Sequence, residues 1–334
     1  MSDYFSGLSA ADDEETLGLI KRKVASFKPH CIVVEQPWLY KAARRSADDT
    51  TMLVYSSQNI EWRLKESMFQ SGDQSEKELL QAIKATEVEA VRGAHLTAAC
   101  TERDAAYYEQ FTDASHAKPI VAGNGVEPFC CDEKKAQGVR DYIRALRNAI
   151  RKPYAAFVSS AHLPNAQGFW DMMAPGLDFL KSGEKIYVVG SVCNILGQAD
   201  GMQACRDVNL KHLNLLGTKD KLELQTILKQ SHVIILPITV GEGSNLKTAE
   251  AVESGRPIVG TSKAFRGFEA AMTLPHVTIA DSPDDFRTAV RRVLDAPRYL
   301  GGAPDHIRSQ FYWSQQLRPL VEAVTNAGVS KDAV

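Results

Sequence analysis

The stretch from His232 to Thr261 constrains this chain more than any other. An apolar run, His232 to Ile238 (HVIILPI), reads as a fully buried strand of a parallel sheet. Gly241 and Gly243 then loosen the backbone, and Ser244 and Asn245 are residue types that start helices. A helical pattern through Lys247, Glu250 and Val252 stops at Gly255, and Pro257 opens a second strand, PIVGT. Strand, glycine turn, helix and parallel strand make one crossover of a doubly wound sheet, which takes its ligands at the carboxyl ends of the strands. The turn suits an anion, because the first amides of a helix lack partners and lie at the positive end of its dipole. Glu242 in the turn and Glu250 inside the helix have seven residues between them. Carboxylates are poor phosphate ligands and good acceptors for sugar hydroxyls, so the unit fits a ligand that carries both phosphate and sugar.

The same alternation runs along the rest of the chain. Strands are predicted at 31–35, 52–56, 95–99 and 119–122, then at 154–159, 185–190, 213–217, 232–238, 257–261 and 277–280, with helical patterns between them. Leu17, Ile20, Val24 and Phe27 mark one face of a first helix that ends before Pro29, and a last helix is predicted near 305–325. The fold class is therefore α/β, with two Rossmann-like doubly wound parallel sheets, and 334 residues suffice for both. The division is drawn at 1–152, 153–304 and 305–334.

The Glu242–Glu250 spacing resembles the E-x7-E signature of retaining nucleotide-sugar glycosyltransferases of the GT-B fold (group 1, family 4-like). Four more stretches are similar in the same order: LVYSSQNIE (53–61), TAACTERDAAY (97–107), PIVAGNGVEPF (119–129), with Glu127 where Asp is usual, and YAAFVSSAHLPN (154–165). Together they cover roughly residues 30 to 295. The resemblance implies an acceptor-side first domain, a nucleotide-sugar-binding second domain, and a closing helix that crosses back to the first. It further implies transfer of a hexose from a nucleotide diphosphate sugar to a glycan or lipid-linked acceptor, with no cofactor and no metal.

Carried over residue by residue, Glu250 holds the ribose hydroxyls and Glu242 contacts the donor sugar as a catalytic group. The amides of Gly243, Ser244, Asn245 and Leu246 receive the diphosphate. Many relatives carry an Arg and a Lys just after the first strand of this domain. Here that stretch is SSAHLPNAQG, with neither, which leaves His162 and Asn165 as donor-side candidates and Lys247 as a nearby point charge. Glu35, at the carboxyl end of the 31–35 strand, is the acid/base or acceptor-positioning candidate, with Asn59 and Glu61 behind it. Each has a plain alternative: a structural glutamate, a loop histidine, a solvated lysine.

The start departs from the family, whose members open with a strand, a glycine-rich loop and further strands before anything like residues 12–35. The first domain is therefore expected to be incomplete at its start and short of strands. Its open edge would invite self-association or a partner subunit. A non-catalytic or split-subunit GT-B protein is the alternative function, and a sugar-nucleotide epimerase or hydrolase a third.

Composition narrows the field further. A net charge of -2 gives no footprint for nucleic acid. No apolar run approaches the ~18 residues of a membrane span, and MSDYFSGLSAADDEE is acidic rather than signal-like, so a cytoplasmic protein is expected. Arg140, Arg144, Arg147 and Arg151 stripe one side of a helical pattern, either as a solvated face or as a peripheral contact at the inner membrane face. Six cysteines form no C-x-x-C pair and read as reduced thiols, the vicinal Cys130–Cys131 included. D-x-D, H-E-x-x-H and G-x-x-x-x-G-K-[ST] do not occur, and neither G-x-G extends to G-x-G-x-x-G.

Overall fold

Four strands, β1 (Cys31–Val34), β2 (Met52–Ser57), β3 (Leu96–Ala99) and β4 (Ile120–Val121), pair in parallel and in chain order. Six more form a second parallel sheet: β5 (Tyr154–Val158), β6 (Lys185–Val189), β7 (Leu213–Leu215), β8 (Val233–Leu236), β9 (Ile258–Gly260) and β10 (Val277–Ile279). Their order is β10-β9-β8-β5-β6-β7, so the winding reverses between β5 and β8, the place where such a sheet opens a ligand crevice. Every strand overlaps one predicted from the sequence. The computed structural model describes residues 2–69, 72–129, 152–299 and 301–329; Cys130, Cys131 and the arginine stripe from Arg140 to Arg151 fall outside them.

By internal contact the chain divides into two units. One comprises Met1–Asn124, Glu242–Ser244 and Ser314–Val334, and the other Gly125–Gly241 and Asn245–Trp313. The division drawn from the sequence fell at 152 and 304. Gly125–Phe129 and the segment up to Trp313 go with the second unit, where Val126, Phe129 and Phe311 enter the core.

The inner strands β5, β8 and β9 of the second sheet are apolar along their whole length because helices cover both faces. Ala156, Ile234 and Leu236 face Ile227, Leu228, Ala249 and Val252 from the helices Lys221–Gln230 and Leu246–Ser254. Ala155, Phe157, Val233 and Ile235 face the other way, onto Phe169, Met173, Phe286 and Val290 from Leu163–Met173 and Pro283–Asp295. Burying each such large side chain contributes about 1.5–3 kcal/mol. Asp220 caps the Lys221 helix by accepting from the Glu223 amide, and Ser282 caps the Pro283 helix by accepting from the Asp285 amide.

In the first unit Leu53 and Tyr55 of β2 pack on Ala90, Val91, Tyr107 and Tyr108, while Tyr4, Trp38 and Ile83 form a smaller cluster. β1 pairs with β2 and with no other strand among the described residues, and Val33 stays 47% exposed. Two sequence expectations need correction. The Glu14–Phe27 helix forms, capped by Asp13, but of its four marker residues only Leu17 is buried and Phe27 is 82% exposed. The closing helix is broken into Asp305–Arg308, Trp313–Gln316 and Arg318–Val329, because Tyr312 is extended and bridges Val126. No helix of the described residues is long and apolar enough to cross a membrane.

Candidate functional site

The Leu246–Ser254 helix follows β8, as the sequence predicts, and Asn245 is its N-cap. The Asn245 side chain does not cap. Its Nδ2 donates to the Ala264 carbonyl at 2.9 Å and to Thr248 Oγ1 at 3.2 Å, tying the helix start to the Ser262–Phe265 turn. The Asn245 amide donates to the Arg266 carbonyl at 3.1 Å. That amide is spent, which corrects its predicted place among the diphosphate donors.

Lys247 and Asn165, far apart in sequence, meet: Lys247 Nζ donates to Asn165 Oδ1 at 3.2 Å, and Asn165 Nδ2 donates to the Ser160 carbonyl at 3.1 Å. Burial pulls the Lys247 pKa down to about 8, with the Arg266 charge acting in the same direction and Glu250 against it. His162 precedes the same helix as Asn165 but is exposed and makes no capping bond. Burial pushes the Glu250 carboxyl up, while the charges of Lys247 and Lys221 pull it down. Glu250 lines a cavity of about 370 Å³ walled by Val126, Phe129, Leu224, Leu246 and Trp313, with Glu127, Lys221 and Gln225 also in the lining.

Two close approaches confine the glycine turn. A Cβ on Gly241 would lie 2.6 Å from the Arg266 guanidinium. Gly243, at φ +63°, is where only glycine fits: a Cβ there would stand 2.5 Å from both the Gln58 carbonyl and Asn59 Oδ1. Ser244 Oγ accepts from Asn124 Nδ2 at 2.9 Å. Gln58, Asn59 and Asn124 follow the carboxyl ends of β2 and β4. Asp104, in the helix Glu102–Glu109 after β3, is buried, and burial first and the Glu242 charge next raise its pKa. Glu35 is exposed beyond β1, the edge strand, and no hydrogen bond joins it to this group. Glu61 is 2% exposed, and burial pushes its carboxyl up to about 7.

Sequence reasoning missed Arg266, Asp104, Lys221 and Gln225. Asp104 reads as an ordinary acid in the first turn of a helix, and Lys221 and Gln225 as one polar face; Arg266 carries no local signal. Among the described residues no three His, Cys, Asp or Glu side chains gather as a metal site.

Residues 152–296 match the family model described as Glycosyl transferases group 1. No curated protein matches the chain. Among solved structures, the chain is similar to an alpha,alpha-trehalose 6-phosphate synthase from Burkholderia multivorans, with TM-score 0.71 and 14% identity over 99% of this chain and 76% of that one. A UDP-forming alpha,alpha-trehalose-phosphate synthase from Burkholderia xenovorans, in complex with glucose-6-phosphate, gives TM-score 0.68 and 13% identity over 96% and 81%. Sucrose-phosphate synthase from Thermosynechococcus elongatus gives TM-score 0.65 and 14% identity over 95% and 79%. The fold is thus GT-B, and the second unit carries a group 1 glycosyltransferase domain, as the motif spacing implied.

Proposed function

We propose that the chain moves a hexose from a nucleoside diphosphate hexose to a hydroxyl of a glycan or lipid-linked acceptor, with retention and without a metal ion. One observation carries this reading: the Glu250 carboxylate lines an apolar cavity, with the Lys247 ammonium one helical turn before it. A nucleoside fits the cavity, its ribose hydroxyls donating to Glu250. The diphosphate then lies at Lys247 and the amides of Gly243, Ser244 and Leu246, where departure of the nucleoside diphosphate builds negative charge that a cation and a helix N-terminus stabilise. Glu242 contacts the donor sugar, Asn165 holds Lys247 in place, and His162 borders the phosphates. Glu35 is the acceptor-side group. The solved relatives are named as synthases of sugar phosphates, and one holds glucose-6-phosphate, which makes hexose phosphates the first acceptors to try beside lipid-linked saccharides.

Calorimetric titration tests the donor site. Glu250→Ala should weaken a nucleoside diphosphate by about 1.5–3 kcal/mol, the range for hydrogen bonds to a charged group. Glu242→Ala should spare the free nucleoside diphosphate and weaken the intact sugar donor. Unchanged affinity in a folded Glu250→Ala protein overturns the assignment. Transfer should persist in excess EDTA; abolition with rescue by Mn²⁺ overturns the metal-independent reading.

A further inference from the structure

Three neighbouring strands of the second sheet are entered through basic residues. His232 precedes β8, Arg256 and Pro257 precede β9, and His276 precedes β10. Parallel pairing sets these amino ends side by side: the Ile258 amide donates to the His276 carbonyl at 2.9 Å, and the Ile234 amide to the Pro257 carbonyl at 2.8 Å. Arg298, which follows the Pro283–Asp295 helix, returns to the same end. Its Nη2 donates to the Lys229 carbonyl at 3.1 Å and to Gln230 Oε1 at 3.2 Å. Burial, then the charges of Arg298 and Arg256, lower the His232 pKa; burial, then Arg256, lower that of His276. Two guanidiniums and two imidazoles thus share one end of the sheet.

Little in the protein answers this charge. Arg256 Nη1 donates to the Tyr299 carbonyl at 2.7 Å, but its Nε is buried without a hydrogen-bond partner, and among the described residues no carboxylate pairs with the guanidinium. His276 is 8% exposed and stacks on the Tyr299 ring, with centroids 5.6 Å apart. Among the described residues neither its Nδ1 nor its Nε2 has a hydrogen-bond partner. Glu184 is the carboxylate whose charge reaches His232, and it is held by Arg291, whose Nη2 donates to its Oε1 at 2.9 Å. Buried nitrogens rarely go unpaired, and like charges gathered without a counter-ion cost free energy that an anion recovers. His232, Arg256 and Arg298 are half-buried, so solvent reaches the group. We propose that the amino ends of β8, β9 and β10 bind a phosphate group. A phosphate presents several acceptor oxygens, which suits donors carried on four separate segments, and a guanidinium fork takes two of them at once. The site is distinct from the glycine turn: strands of three or four residues hold the two ends of the sheet roughly 10–14 Å apart.

The test is calorimetric titration of the full chain with inorganic phosphate and with glucose 6-phosphate, against sodium chloride at matched ionic strength. The two ligands share the phosphate chemistry, and the tighter one identifies its source. Arg256→Gln should weaken the phosphate by about tenfold to a hundredfold, the loss expected for hydrogen bonds to a charged group. His276→Phe keeps a ring against Tyr299 and removes both nitrogens, so it should weaken the phosphate by about fivefold, and it decides the matter if Arg256→Gln does not fold. Lys247→Met, at the other end of the sheet, should keep this binding. Absence of binding by both ligands, unchanged affinity in a folded Arg256→Gln protein, or binding lost in Lys247→Met and kept in Arg256→Gln overturns the inference. Failure of nucleoside diphosphates to bind would remove the donor site and leave this one standing, since the two share no residue.

Discussion

Glu87 in the first unit and Glu250 in the second are both buried carboxylates on helices, and burial pushes both up in pKa. Their surroundings differ. Glu87 accepts from Tyr108 Oη at 2.7 Å, Tyr55 Oη at 3.2 Å, and the Glu61 and Trp62 amides at 2.9 and 3.3 Å. The last two are orphan amides at the start of the Glu61–Glu66 helix, whose own N-cap, Ile60, has no side-chain acceptor. Glu250 faces a cavity, and among the described residues the charges of Lys247 and Lys221 are what steady it. A carboxylate saturated from within holds a fold together. One left unsaturated beside an open space is built for something that arrives.

That contrast yields the largest expected effect. Glu87→Ala takes the acceptor from two amides and two tyrosine hydroxyls, of which Tyr108 keeps other partners, Ser57 Oγ and the Asn59 carbonyl, and should cost about 3–5 kcal/mol in denaturant unfolding. Glu250→Ala removes a group with no hydrogen bond among the described residues and should cost less than about 1 kcal/mol while crippling nucleotide binding. Equal losses of stability would break the comparison.

Glu61 sharpens it through pH. Burial leads the shift of this carboxyl to about 7, with the like charge of Glu87 also raising it, and Asn59 Nδ2 offers only a 3.4 Å contact in return. A carboxyl whose folded pKa lies above its unfolded value contributes stability that is complete below about pH 4.5 and is lost as pH rises through about 7. Relative to Glu61→Gln, the native chain should therefore lose up to about 3 kcal/mol between about pH 4.5 and pH 8. Parallel stability profiles for the two proteins would sink the assignment.

These contrasts mark where the sequence could be read and where it could not. β5, β8 and β9 were legible because a strand covered on both faces must be apolar at every position, and no distant contact changes that. The glycine turn and Glu250 were legible because local spacing alone places them. The break at Tyr312 was not, since its cause is pairing with Val126, remote in sequence. Nor was the loss of the Asn245 amide, which the Arg266 carbonyl takes. The face of the Glu14–Phe27 helix misled for the opposite reason. Its apolar spacing is sound, but its marker residues past Leu17 are not buried. Lys221 and Gln225 show the general limit: a polar pair one turn apart reads as a solvated face until the cavity beside it is known.

A smaller effect concerns Lys247, whose pKa burial lowers to about 8. The protonated form is the one that attracts a diphosphate, so affinity should fall as pH rises past 8. Between pH 7 and 9 the free ammonium drops to about a tenth, and binding should weaken by about tenfold if the ligand restores an ordinary lysine pKa. Lys247→Met should bind weakly and show a flat profile over that interval. A native profile equally flat would separate Lys247 from the phosphates.

The smallest effect comes from two helix ends. Gly255 closes the Leu246–Ser254 helix at φ +68°, ψ 18°, and Lys28 closes Glu14–Phe27 at φ +48°, ψ 60°. Both caps are left-handed and both amides reach back into the helix, Gly255 to the Val252 carbonyl at 3.0 Å and Lys28 to the Val24 carbonyl at 2.8 Å. Glycine takes this conformation without strain, whereas a residue with a Cβ is strained there by about 1 kcal/mol. Gly255→Ala should accordingly destabilise by about 1 kcal/mol, the more so because its Cβ would come 3.2 Å from Gly302 Cα. Lys28→Gly relieves the strain but loosens the unfolded chain, so the net gain should be only about 0.5 kcal/mol, read as a small rise in melting temperature. A fall instead would mean that the Lys28 side chain does more for the first unit than its cap geometry costs.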